Sequence, residues 1–273
     1  MARTLDDRQV EALAADHERA RRDVTPIDPV TRRYPDATLD DAYAIQAAWL
    51  RLRLAGGAVV GGHKIGLTSR AMQQAMRIDE PDFGFLLDDM FIAPGATIVA
   101  ADHLDPKIEV EFAFVLAAPL GARPVTADDV YAATERIAPA LELIDARSHR
   151  VHPVDGRTRT VIDTIADNAA DAGIVVGDGS VAVEDARRGA LRWAGAILRR
   201  NGVVEETGLG AGVLDDPVQG VVWLVNRLNG LGIELAAGET ILAGSFTRPV
   251  DARAGDRFEV DFGWLGEIAL DVA

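Results

Sequence analysis

Glu109 and Glu111 stand two residues apart in the stretch Pro106-Lys-Ile-Glu-Val-Glu-Phe-Ala-Phe-Val-Leu116, which has the apolar content of a strand. Successive strand side chains point to opposite faces, so Ile108, Val110, Phe112, Phe114 and Leu116 share an apolar face, with Glu109, Glu111, Ala113 and Val115 on the other. That second face turns from acid to apolar midway, as a strand entering a buried cavity would; the plainer alternative is an acidic edge on an ordinary amphipathic strand. At a backbone separation of about 7 Å, two partly buried carboxylates repel at a cost that a cation between them would remove. A third acid, Glu142, is flanked by apolar residues in the extended run Ala140-Leu-Glu-Leu-Ile-Asp-Ala-Arg147. Together the three glutamates supply hard oxygen donors, a set suited to Mg²⁺, or to Mn²⁺, with positions left for water and substrate. A 2-oxo acid would chelate such an ion through its carboxylate and keto oxygens, and the ion would stabilise the enolate formed when a neighbouring carbon gains or loses a proton.

Proton carriers are needed beside such a centre. Lys64 lies between Gly62 and Gly66 in an apolar strand-like segment, where burial would depress its pKa and make it a usable acid or base. The alternatives are that it snorkels to solvent or pairs with a structural acid. Asp82 is the candidate second proton carrier, or the group that orients water. It sits in the acid-rich segment Asp79 to Gly84, which reads as a loop.

The 273 residues suffice for one large domain, or one with a smaller appendage, and the 48% apolar content is that of a globular chain. A formal net charge of −15 argues against nucleic acid or an anionic membrane as partner. With no cysteine, thiol catalysis and zinc-thiolate sites are excluded. Acids occupy the N-terminus where a signal peptide would be apolar, and no apolar run approaches spanning length, so we expect a soluble, cytoplasmic protein.

The elements that must hold these groups can be read in outline. Residues 4–22 have helical periodicity with Thr4 and Asp7 spaced as a capping pair, and Thr38 to Asp41 caps a second helix that ends at Gly56-Gly57. Ser69 is placed to cap a short helix from Arg70. Thr126 opens a helix that Pro139 should close, residues 148–159 read as an exposed loop or lid, and Asn201-Gly202 marks a hairpin. Asp216-Pro217 opens a late helix, and Ile241 to Thr247 is a strand ending in a hydroxyl-bearing turn. Strands dominate the second half without regular alternation with helices. The expectation is α+β: an N-terminal helical segment, residues 1–60, then a mixed, rolled sheet over residues 61–273.

Six strings, taken in order along nearly the whole chain, carry a family resemblance: Gly62-His-Lys-Ile-Gly-Leu-Thr-Ser69, Asp79-Glu-Pro-Asp-Phe-Gly84 with Leu87-Asp-Asp-Met90, Pro106 to Phe114, Ala140 to Arg147, Asp167-Asn-Ala-Ala170 and Gly244-Ser-Phe-Thr-Arg-Pro249. The chain resembles the 2-oxo-alkenoate hydratases of aromatic meta-cleavage pathways, within the fumarylacetoacetate hydrolase-like superfamily. The resemblance implies a metal held by Glu109, Glu111 and Glu142, a catalytic Lys64 with an acid at Asp82, and Ser245 and Thr247 at the 2-oxo acid end of the substrate. It also implies a mixed β-roll assembled as a homo-oligomer, usually a pentamer-based decamer. Within the family it leans toward members acting on a dicarboxylate, whose far end needs a cation; Arg147, or a basic residue among Arg150 to Arg159, is the candidate. A metal-dependent 2-oxo-acid decarboxylase is the nearest alternative activity. A carbon-carbon hydrolase would need a histidine and acid pair, which His63 leaves open, and a non-catalytic binding module would have no use for the acid set.

Overall fold

The computed structural model describes residues 2–121 and 123–273. Two long helices, Asp7–Asp23 and Leu39–Ala55, open the chain. Thr38 and Asp41 form a capping box at the second, as their spacing predicts. The first is capped differently: Asp6 and Gln9 make the box, while Thr4 hydrogen-bonds the buried Asp41 carboxylate and ties the two helix starts together.

The fold is α+β, with the helical part leading into a mixed β-roll. One sheet has eight strands; its main path runs Asp82–Leu87, Val60–Gly66, Thr240–Leu242, Lys107–Leu116, Thr134–Ile144, Asp171–Val176 and Phe91–Ile92. Val60–Gly66 pairs in parallel with Thr240–Leu242, and Lys107–Leu116 pairs antiparallel with Thr134–Ile144. A second sheet of five strands contains the Asn201-Gly202 hairpin, with both turn residues at positive φ as a primed turn requires.

The faces of the large sheet divide as alternation predicts. Ile108, Val110, Phe112, Phe114 and Leu116 are buried in one core with Phe258, Phe262 and the helix Pro217–Asn229. On the other face Ala113, Ala140, Ile174 and Leu242 pack against Leu13, Ile45 and Trp49 of the N-terminal helices. Each large side chain so buried stabilises by roughly 1.5–3 kcal/mol before entropic costs. The helices therefore roof the sheet face that carries Glu109 and Glu111.

Two expectations are corrected. Asp82 belongs to the buried strand Asp82–Leu87, not to a loop, because Phe83, Phe85, Leu86 and Leu87 have apolar partners on both faces. Pro139 does not end a helix; the helix stops at Ala133 and a strand runs from Thr134 to Ile144 straight through the proline. Phe112, opposite Pro139, turns its carbonyl to the N–H of Ala243, so no ladder bond from the proline is needed on that side. On the other side Gly177 donates to the Pro139 carbonyl, and its own carbonyl accepts from the Arg136 guanidinium in place of the missing N–H.

Candidate active site

Register brings the three glutamates together. Glu109 lies directly opposite Glu142 on the neighbouring strand, and Glu111 opposite Ala140, so all three project to the helix-covered face. Each offers an oxygen within 4.8 Å of the others. Like charges facing across strands are destabilising, and here the carboxylates are short of partners. Glu111 has one oxygen bonded by the Gly244 N–H at 2.8 Å, while its other oxygen and Glu142 Oε2 are buried without a partner. Hard, converging, unpartnered oxygens of this kind fit a divalent cation such as Mg²⁺.

Lys64 reaches the same place from the next strands. The row Gly84, Lys64, Leu242, Ala113 runs across the sheet, which puts the Lys64 side chain on the glutamate face. Its ammonium stands 3.0 Å from Glu142 Oε1 and donates to the Ala169 carbonyl at 3.1 Å. Burial opposes its charge, as expected, yet Glu142, Asp82, Asp171 and Glu109 outweigh burial and hold its pKa well above the ordinary lysine range. The expectation of a depressed pKa is thus reversed, because sequence does not reveal how many acids share the pocket. Asp82 is buried beside Lys64 with Oδ1 unpartnered, and a Cβ on Gly66 would collide with that oxygen. Burial, partly offset by Lys64, pushes the Asp82 pKa up to about 6. Burial and Glu142 push Glu109 up to about 8, and the same causes raise Glu111 well above its usual range.

Ser245 and Thr247 run alongside this strand. The Thr247 hydroxyl accepts from the Val110 N–H at 3.3 Å, and the Ser245 hydroxyl donates to the Thr247 carbonyl at 2.9 Å. Both are half-buried next to the glutamates.

Arg147 is placed otherwise than expected. Its guanidinium donates to the carbonyls of Asp145, Asp167 and Asp171, pairs with the Asp167 carboxylate at 2.7 Å and stacks on Trp49. So engaged, it is a structural clamp and not a free cation for a substrate. Arg150 is better disposed: it is 40% exposed, held by Asp105 at 2.7 Å, and its charge acts on Glu109. His63, one residue from Lys64, points to the opposite face and pairs with Glu239 at 3.2 Å, which removes it from the site. In the loop 148–159, His152 is buried against Asp28 and Asp155, so this segment is tied down rather than free.

Sequence reading missed Asp171 and the turn before it. Asp171 is buried, both its oxygens lack partners, and burial with Glu142 raises its pKa well above the usual range. It lines a cavity of about 420 Å³ with Trp49, Phe85, Arg147 and Asn168; none of the three glutamates lines it. The residues Asn168, Ala169 and Ala170 are all left-handed, with φ of 52°, 51° and 61°. For alanine this costs on the order of 1–2 kcal/mol per residue. The string Asp167-Asn-Ala-Ala170 carries part of the family resemblance, but only the asparagine, which tolerates positive φ, signals a left-handed turn there.

A roofed β-roll whose central strands present a carboxylate centre with a lysine beside it defines a class, and the sequence comparisons agree with it. The fumarylacetoacetate (FAA) hydrolase C-terminal family matches residues 60–273, and the chain belongs to that family. It is 49% identical to 2-oxo-hept-4-ene-1,7-dioate hydratase of Escherichia coli, over 96% of this chain and 98% of that protein. It is 36% identical to 4-oxalocrotonate decarboxylase of Pseudomonas sp. (strain CF600), over 98% of each. The solved structure of 4-oxalocrotonate decarboxylase from Pseudomonas putida G7, complexed with magnesium and adipate, superposes with a TM-score of 0.92 at 33% identity and covers all of both chains.

Proposed function

We propose that this chain is a metal-dependent hydro-lyase that adds water to 2-oxo-hept-4-ene-1,7-dioate, or to a related 2-oxo-alkenoate such as 2-oxopent-4-enoate, giving the 4-hydroxy-2-oxo acid in aromatic meta-cleavage catabolism. The observation that carries this reading is the converging set Glu109, Glu111 and Glu142 with Lys64 and Asp82 on the same roofed face. The hydratase relative, similar over nearly the whole chain, supports the choice of substrate.

Glu109, Glu111 and Glu142 would hold Mg²⁺, with Mn²⁺ as a substitute. Bound there, the ion supplies Lewis-acid stabilisation of the enolate that the reaction passes through. Asp82, with a pKa of about 6, is a carboxylate at neutral pH and takes the proton from C3. Lys64 stays charged and stabilises the negative charge that develops. A proton returned at C5 leaves the alkene conjugated with the C2 ketone, which makes C4 electrophilic; water then adds its oxygen to C4 and a proton to C3. Ser245 and Thr247 hold the 2-oxo acid end, and Arg150 meets the far carboxylate. The helices Asp7–Asp23 and Leu39–Ala55 keep bulk water from the buried side of the site. We further read the protein as a cytoplasmic homo-oligomer, pentamer-based; the exposed Trp193 and Trp264, at 75% and 67%, are apolar surface that subunit contacts would cover.

The second reading is a decarboxylase using the same enolate stabilisation, favoured by the decarboxylase structure that superposes over the full chain. Ultraviolet absorbance and carbon dioxide, followed together on the Mg²⁺-loaded protein with 2-oxo-hept-4-ene-1,7-dioate and with 4-oxalocrotonate, separate the two. Loss of alkene absorbance without gas is the expected result. Gas from 4-oxalocrotonate, with no hydration of either substrate, would assign the decarboxylase.

A further inference from the structure

The left-handed turn at 168–170 lies against the site, and no step above uses it. We propose that Asn168 is a positioning residue: it docks this turn on the open edge of the strand Asp82–Leu87, so that the Ala169 carbonyl holds the Lys64 ammonium in place. The inference rests on the role given to Lys64 in the proposed reaction.

The Asn168 side chain pairs with one residue of the sheet edge as a neighbouring strand would. Its Oδ1 accepts from the Phe85 N–H at 2.8 Å and its Nδ2 donates to the Phe85 carbonyl at 2.9 Å. Gly84 makes room for it, since a Cβ there would stand 2.7 Å from the Asn168 carbonyl oxygen and 2.9 Å from its Oδ1. Gly84 is also the residue paired with Lys64 in the sheet, so the dock and the lysine stem share one row.

The rest of the turn is held from behind. Arg147 donates to the carbonyls on both sides of it, Asp167 and Asp171, and the Asp145 N–H donates to the Ala170 carbonyl at 2.7 Å. A left-handed run of non-glycine residues persists only where its surroundings over-determine it, and here they do so from two directions. The product of this arrangement is the carbonyl of Ala169 aimed at Lys64 Nζ. Lysine carries its charge on a flexible stem, and Glu142, Asp82 and Asp171 all attract it. A fixed neutral acceptor selects one position for the ammonium and keeps it when a cation draws on the glutamates.

Lys64 and Lys107 are the only lysines in the sequence, which makes the test direct. In full-length, Mg²⁺-loaded Asn168→Ala and Asn168→Gly, kcat, KM and the acetylation rate of each lysine by N-hydroxysuccinimide acetate are measured, the last by peptide mass spectrometry. Glycine adopts the left-handed turn at little cost, so it carries the test if the alanine variant does not fold. Expected are a fall in kcat of about tenfold or more with KM within about threefold, and acetylation of Lys64 raised about tenfold relative to Lys107. General loosening of the fold would instead speed both lysines together. A folded variant in which either kcat or the Lys64 to Lys107 ratio stays at the wild-type value overturns the proposal. Were the wild type inactive on every 2-oxo-alkenoate, the proposed function would fall, and the acetylation ratio alone would then decide whether Asn168 places Lys64.

Discussion

At the scale of single residues, the site is an excess of buried acid held together by one ammonium. Glu109, Glu111, Glu142, Asp82 and Asp171 surround Lys64, and burial raises the pKa values of Asp82, Glu109, Glu111 and Asp171. Replacing Glu111 with glutamine removes a buried acid, one of whose oxygens has no partner, and with it the cost of keeping that acid protonated. We predict that this variant, stripped of metal, is stabilised by about 1 kcal/mol or more at pH 8, yet loses Mg²⁺-dependent activity by about a hundredfold. Thermal melts in EDTA and steady-state rates check the two halves separately. The pH dependence follows with a definite sign. Asp82 and Glu109 have ordinary values of 3.8 and 4.5, so their stabilising contribution to the metal-free fold is fully present below those values and lost as pH rises through about 6 and about 8. The rise in Tm on adding Mg²⁺ should therefore be larger at about pH 8 than at about pH 5. An equal rise at both would mean that the ion does not bind at these carboxylates.

At the scale of elements, what sequence made legible was whatever alternation and capping control. The apolar face of Lys107–Leu116, the cap at Thr38, the Asn201-Gly202 hairpin and the Asp216-Pro217 helix start lie where their local chemistry puts them. What it hid was tertiary. Pro139 looked like a helix stop because the Arg136 guanidinium that answers Gly177 is specified only by the sheet. Asp82 looked like a loop acid because the cover over its strand comes from helices far away in sequence. The glutamates were recognisable as misplaced acids, but that Glu109 faces Glu142 is a matter of register. Arg147 read as a free cation because only the folded chain shows the three carbonyls that occupy it. In the proposed reading the far-end cation is Arg150, in the segment 148–159. Arg150→Gln should lower kcat/KM for 2-oxo-hept-4-ene-1,7-dioate by about tenfold and leave 2-oxopent-4-enoate within about twofold. Competition assays with the two substrates measure the ratio, and an equal loss on both would take Arg150 out of substrate recognition.

For the whole molecule, the N-terminal helices and the β-roll act as one device: the roll sets the register of the acids, and the helices exclude water from the face where they meet. If the proposed assembly covers the exposed Trp193, in the short helix before the five-stranded sheet, and Trp264, in the turn between its last two strands, sedimentation velocity should give a particle much heavier than the 29.1 kDa chain. A monomer at micromolar concentration would remove that part of the account. The central claim is that the three glutamates are a metal centre, and calorimetric titration of Mg²⁺ into EDTA-treated protein near pH 7.5 tests it most directly. Because Glu109 and Glu111 are pushed toward their protonated forms in the metal-free protein, binding should release protons and give a heat that changes with the ionisation enthalpy of the buffer. We expect one site per chain with that signature in the wild type and none in Glu142→Gln. Binding that survives this substitution unchanged, or no binding at all in the wild type, would contradict the account.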